Sequence, residues 1–157
     1  MQITIIMIGK TNDSFITEGI DQYNNRLKHY LSIKWVTIPE LKEKKNLTPE
    51  QVKEKEANHL IASIPKNSFI ILLDERGKEL RSLEFADFIQ RHMNSGVKEL
   101  VFIIGGAYGI SDQLNHLTSH KLALSQMTFT HQFIRLILIE QIYRSMTILR
   151  NEPYHNE

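Results

Sequence analysis

Short apolar runs and amphipathic stretches alternate along the whole chain. Residues 3–8 are an apolar run closed by Gly9, which predicts a first strand. Over residues 15–31 the apolar positions are 16, 20, 23, 27, 30 and 31, the spacing of one helix face. Residues 35–38 read as a second strand stopped by Pro39. Thr48-Pro49-Glu50-Gln51 has the form of a capping box with proline at the first helical position, so a helix is expected over 49–63.

The second half repeats the alternation. Residues 69–73 and 99–104 are continuous apolar runs that suit a sheet buried on both faces. Residues 74–77 read as a loop leaving the first of them. Between the two runs, Ser82 is the expected cap of a helix that Gly96 closes. Gly105-Gly106-Ala107-Tyr108-Gly109 follows the second run, and Ser111 starts a short helix. Residues 121–124 read as a last strand, and Thr130 caps a long helix ending before Pro153. Alternating strands and helices predict an α/β fold: a mostly parallel sheet with helices on both faces, in one domain spanning 1–157.

Composition narrows the chemistry. There is no cysteine, and the seven histidines form no HExxH-type pair, so no metal site is expected. The absence of disulfides agrees with a cytoplasmic protein. No apolar stretch is long enough to span a membrane, and the first eight residues lack the basic start of a signal peptide. The net charge of +1 argues against holding nucleic acid by charge alone. The five acids and five lysines between 40 and 56 cancel and read as a solvated face.

In an open parallel sheet, ligands bind beyond the carboxyl ends of the strands. Three loops leave such ends, at 73–77, 105–109 and 125–129. The glycine loop reads G-G-x-x-G, without the dinucleotide spacing or a Walker lysine. Taken alone it is a tight strand-to-helix turn. Ser125 and Thr128 read as turn residues, and Met127 and Phe129 as core. The last helix has almost no polar face over 133–139, which points to a second subunit on its outer side, at Ile137 or Ile139. Glu140 and Arg144 read as an ordinary surface pair. The tail, with Tyr154 and His155, reads as a disordered end carrying residues suited to base stacking and proton handling.

Together, GGAYG after a buried strand, then LALSQMTFTHQFIRLILIEQIYR, then a terminal EPYH resemble the ribosomal RNA large subunit methyltransferase H family of the knotted SPOUT class. The resemblance runs from MQITIIMIGK through LLDERGK to the tail. It implies N3-methylation of a pseudouridine in 23S ribosomal RNA, conventionally position 1915, with S-adenosylmethionine as donor. It also implies a homodimer, a C-terminal trefoil knot and action on assembled ribosomes. Carried over by motif, the cofactor contacts are Leu73, Gly105, Leu124, Ser125, Gln126, Met127, Thr128 and Phe129. Tyr154 and His155 are the implied methyl-transfer residues. His155 accepts or relays the base proton, Tyr154 orients the base, and Arg135 is the candidate to stabilise charge on its carbonyls. Two departures stand out: Thr130 and Gln132 flank His131 where relatives often have proline, and Asn156 replaces a common basic residue. The rival readings are a non-catalytic ribosome-binding protein keeping the cofactor fold, and a nicotinamide oxidoreductase, which the missing G-x-G-x-x-G opposes.

Overall fold

The computed structural model describes residues 1–156. They form β1 (Gln2–Ile8), α1 (Ser14–Leu27), β2 (Ser32–Ile38), α2 (Pro49–Ala62), β3 (Phe69–Glu79), α3 (Ser82–Asn94), β4 (Glu99–Ile104), α4 (Asp112–Leu117), β5 (Lys121–Ala123) and α5 (Phe133–Leu149). The strands make one sheet in the order β2-β1-β4-β3-β5, with every neighbouring pair parallel. This is the α/β architecture the alternation predicts.

The sheet feeds two cores. On β1, Ile3, Ile5 and Met7 pack with residues of α1, α3 and α5, including Ile16, Phe85, Ile89 and Leu138. Ile6 and Ile8 face the other way, toward Ala57 and Leu60 of α2 and Leu114 of α4. Strand alternation thus places helices on both faces. Each fully buried isoleucine or leucine contributes roughly 1.5–3 kcal/mol, so β1 and β4 anchor both layers. Thr4 is fully buried, and its hydroxyl donates to Glu99 Oε1 at 2.5 Å.

Several boundaries differ from the sequence reading, each for a local reason. β3 does not stop at Leu73. It pairs with β5 at Leu73↔Leu122, bulges, and pairs again at Lys78↔Leu122 and Glu79↔Ala123. Residues 74–77 are therefore a protrusion inside a strand rather than a loop after one. Gly77 permits the return: a Cβ there would lie 2.7 Å from the Lys121 carbonyl carbon. α1 ends at Leu27 because residues 28–31 tighten into a turn, with Tyr30 N and Leu31 N both bonding to Leu27 O. β2 begins at Ser32, since backbone pairing with β1 recruits polar residues that apolar patterning passes over.

The Thr48 cap forms as expected, with Gln51 N donating to Thr48 Oγ1 at 3.2 Å and Thr48 N to Gln51 Oε1 at 3.0 Å. Ser82 does not cap α3. Its hydroxyl donates to Gln141 of α5, and Glu84 closes the first turn by accepting from Arg81 N at 2.7 Å. Thr130 Oγ1 accepts from Phe133 N at 3.2 Å, as a cap would. The apolar character of α5 is largely explained within the chain, because the helix packs against both α1 and α3. Ile139 is fully buried there and is a core residue, not an outer-face one. Ile134, Leu136 and Ile137 stay half-buried. Among the described residues, no helix is long and apolar enough to cross a membrane.

Candidate active site

The carboxyl ends of the neighbouring strands β4, β3 and β5 open into one cleft of about 940 Å³. Three segments form most of it: Leu73 with the bulge at 74–76, the glycine loop from Gly105 to Ile110, and residues 124–132 apart from Gln126. Of the eight expected cofactor residues, Leu73, Gly105, Leu124, Ser125, Met127, Thr128 and Phe129 line this cleft. Gln126 does not. Its side-chain amide turns outward and donates to Glu79 Oε2 at 2.8 Å.

The glycine loop is built against itself. Gly109 N donates to Gly106 O at 3.0 Å, and Gly109 has φ +82°, a conformation that side chains resist. A Cβ on Gly105 would meet the Gly109 carbonyl oxygen at 2.6 Å. Gly105 is therefore required first by the fold of its own loop. Behind it, a Cβ on Gly106 would overlap the Glu56 carboxylate. Glu56 is 3% exposed, and burial pushes its carboxyl up while Lys44, 3.8 Å away, opposes the shift.

The strap at 125–129 is held by its own turn and by the β3 bulge. Ser125 Oγ accepts from Met127 N at 2.9 Å, and Thr128 Oγ1 donates to Glu75 Oε2 at 2.5 Å. Arg76 grips Asp74 through two side-chain hydrogen bonds of 3.0 and 2.9 Å, which holds that carboxyl below its ordinary value. Met127, 75% exposed, lies open at the cleft rather than in the core.

The cleft offers apolar walls and charges of both signs. Leu73, Ile104, Ile110, Leu122 and Leu124 give the apolar walls, Asp13, Asp74 and Glu75 add carboxylates, and Lys53 and Arg76 add cations. No cluster of potential metal ligands occurs among the described residues. S-adenosylmethionine, with an adenine ring, a sulfonium, an ammonium and a carboxylate but no phosphate, fits this set.

The three expected catalytic residues lie outside the cleft of their own chain. Arg135 is fully buried and binds Ile8 O, Thr11 Oγ1 and the His131 carbonyl. Tyr154 and His155 fold onto the far part of α5. The Tyr154 hydroxyl donates to Glu140 Oε1 at 3.1 Å and lies 3.2 Å from the Tyr23 hydroxyl. The Arg144 guanidinium sits 4.8 Å from the Tyr154 ring centroid, and its Nη1 is 3.5 Å from His155 Nδ1. Glu140 and Arg144 are hence the anchor of an ordered tail, not an idle surface pair. Burial, then the Tyr23 hydrogen bond and Glu140, raise the Tyr154 phenol well above its usual value.

Sequence reading placed residues 73–77 at the site but as a loop, and it passed over His131 as a site residue. The bulge needed the register of β3 and β5 to be seen. His131 lines the cleft, and burial, followed by the Arg135 cation, holds its imidazole below the ordinary histidine value. Its place beside a helix start was the available signal.

A family model described as "Predicted SPOUT methyltransferase" matches residues 1–155. Proteins named "Ribosomal RNA large subunit methyltransferase H" from Parabacteroides distasonis and Flavobacterium psychrophilum are 47% and 48% identical, over all of both chains. The solved structure of a probable methylase family protein from Haemophilus influenzae matches with a TM-score of 0.53 at 9% identity. It covers 99% of this chain and 70% of that one, a likeness of fold alone. With seven of eight motif residues gathered in one cleft and full-length relatives of one name, the chain belongs to the SPOUT methyltransferases, in the ribosomal RNA large subunit methyltransferase H family.

Proposed function

We propose that the protein uses S-adenosylmethionine to methylate N3 of a pseudouridine, position 1915, in 23S ribosomal RNA of assembled ribosomes. The cleft at the ends of β3, β4 and β5, lined by the cofactor motif, carries the reading. The names of the full-length relatives support the RNA class. When bound, the cofactor supplies an electrophilic sulfonium methyl group. Leu73 and Leu124 offer an apolar slot for adenine, and the backbone of 105–109 offers hydrogen bonds. Much of the rate would come from positioning.

The tail acts in this reading at the cleft of a partner subunit. It lies on α5 near Glu140, six residues or about 9 Å along the helix from the cleft residue Ile134. Tyr154, a neutral phenol whose proton goes to Glu140, stacks on or orients the base through its ring, and His155 relays the base proton. Arg135 acts indirectly, by holding the cleft wall. A homodimer on the outer side of α5 and a C-terminal trefoil knot belong to the same reading. The near-neutral charge favours a substrate whose shape the ribosome already fixes.

The test is mass spectrometry of 23S fragments from ribosomes of a strain lacking the enzyme, before and after incubation with protein and cofactor. A gain of one methyl group at the pseudouridine is expected. No gain on ribosomes would overturn the activity, and equal turnover on a short free hairpin would overturn the ribosomal context.

A further inference from the structure

We propose that His131 is the final acceptor of the imide proton of the target base, an inference that rests on the methyltransferase reading above. The base nitrogen carries a proton at neutral pH and needs a group beside it whose basicity matches that pH.

The ionisable side chains on the cleft wall are Asp13, Lys53, Asp74, Glu75, Arg76, Tyr108 and His131. Lysine and arginine are already protonated, and tyrosine is a protonated phenol. Asp74 is a weak base, held ionised by Arg76, and Glu75 already accepts from Thr128. His131 brings the one imidazole to the cleft lining among the described residues.

Its surroundings fit the task. The backbone of His131 is fixed, because its carbonyl accepts from Arg135 Nε at 3.1 Å, while Arg135 is tied in turn to Ile8 and Thr11. The charged groups acting on the ring are Arg135 from α5 and Glu40 and Lys44 from the segment after β2. Burial and the two cations favour the neutral ring, and Glu40 only partly offsets them. A neutral imidazole at working pH can take a proton; His155, outside the cleft of its own chain, is left with a relay.

The imide N–H bond breaks, an imidazole N–H bond forms, and the electron pair stays on the base nitrogen. Water later takes the proton from the imidazolium.

The experiment uses the full chain and assembled ribosomes. It measures single-turnover rate against pH for wild type, His131→Gln, His131→Asn and His155→Gln. S-adenosylhomocysteine binding by calorimetry and ring titration by NMR accompany it. His131→Gln should lose roughly 10²–10⁴-fold in rate and its acidic limb, with inhibitor affinity within a few-fold of wild type. His155→Gln should keep the limb. In wild type, the limb should coincide with the NMR titration of the His131 ring, below an ordinary histidine. A His131→Gln enzyme with wild-type rate or an intact limb overturns the proposal. Should both His131 variants fail to fold, a limb that follows any other histidine's titration overturns it equally. Wild-type protein that neither binds the inhibitor nor methylates ribosomes would remove the methyltransferase reading, and this proposal with it.

Discussion

Arg135 Nη2 donates to the carbonyl oxygen of Ile8 at 2.6 Å, joining the start of α5 to the end of β1 across 127 positions of sequence. Nη1 binds Thr11 Oγ1 at 2.8 Å, so one guanidinium secures the β1–α1 connection beside the cleft. Burial lowers Arg135 to about 10, which still leaves it a cation at neutral pH. Arg135→Ala would leave these acceptors without a donor and should cost roughly 2–5 kcal/mol in urea unfolding. Arg135→Lys should recover only part, since one ammonium cannot span three acceptors. A loss within error of zero would contradict a structural role.

Gly105→Ala tests the glycine loop at its tightest point. The added methyl would sit 2.6 Å from the Gly109 oxygen, so the loop must shift. Affinity for S-adenosylhomocysteine should fall about tenfold or more, a change of roughly 1.4 kcal/mol per decade, while far-UV circular dichroism stays unchanged. Wild-type affinity would show that this loop does not shape the cofactor slot. EDTA should alter neither value.

Glu56 gives a pH-dependent signature. Its folded value is raised, so the unfolded chain ionises first as pH increases. Stability is therefore reduced above the raised value, and the penalty disappears below the ordinary glutamate value. Glu56→Gln should be at least as stable as wild type at pH 7, and the advantage should vanish near pH 4. Chemical denaturation at the two pH values measures it; a variant less stable at pH 7 would mean that Lys44 outweighs burial.

Ile137 and Ile139 should behave differently. Ile139 is fully buried, so Ile139→Asp should prevent folding. Ile137 is half-buried, and Ile137→Asp should give folded monomers by sedimentation velocity if α5 carries the dimer. A dimer of undiminished strength in that variant would move the interface elsewhere.

The tail should act across subunits. Truncation after Pro153 should abolish methyl transfer and leave inhibitor binding near wild type. Mixing that chain with Gly105→Val should restore one working site per heterodimer, because the intact tail then serves the intact cleft. No recovery in confirmed heterodimers would place the tail at its own chain's cleft.

Much of the fold was legible in the sequence because its signals are local. The apolar runs of β1, β3 and β4 reflect burial on both faces, and Thr48 caps α2 through a contact spanning three residues. Ser82 misled because its hydroxyl found Gln141, 59 positions away, a competitor that no local rule includes. Ile139 misled because two helices, not one, cover α5.

The sequence by itself determined the α/β class, the three strand-end loops and the motif residues that fill them, since period, turn chemistry and motif are properties of neighbouring residues. Tertiary structure decided what depends on distance. It bulged residues 74–77 out of β3, buried Arg135 on Ile8 and Thr11, and laid Tyr154 and His155 on α5 outside their own cleft. It also brought His131 into that cleft beside Arg135. Each is set by burial and hydrogen-bond satisfaction between segments far apart in the chain, information that becomes available only when the sheet has closed its two cores.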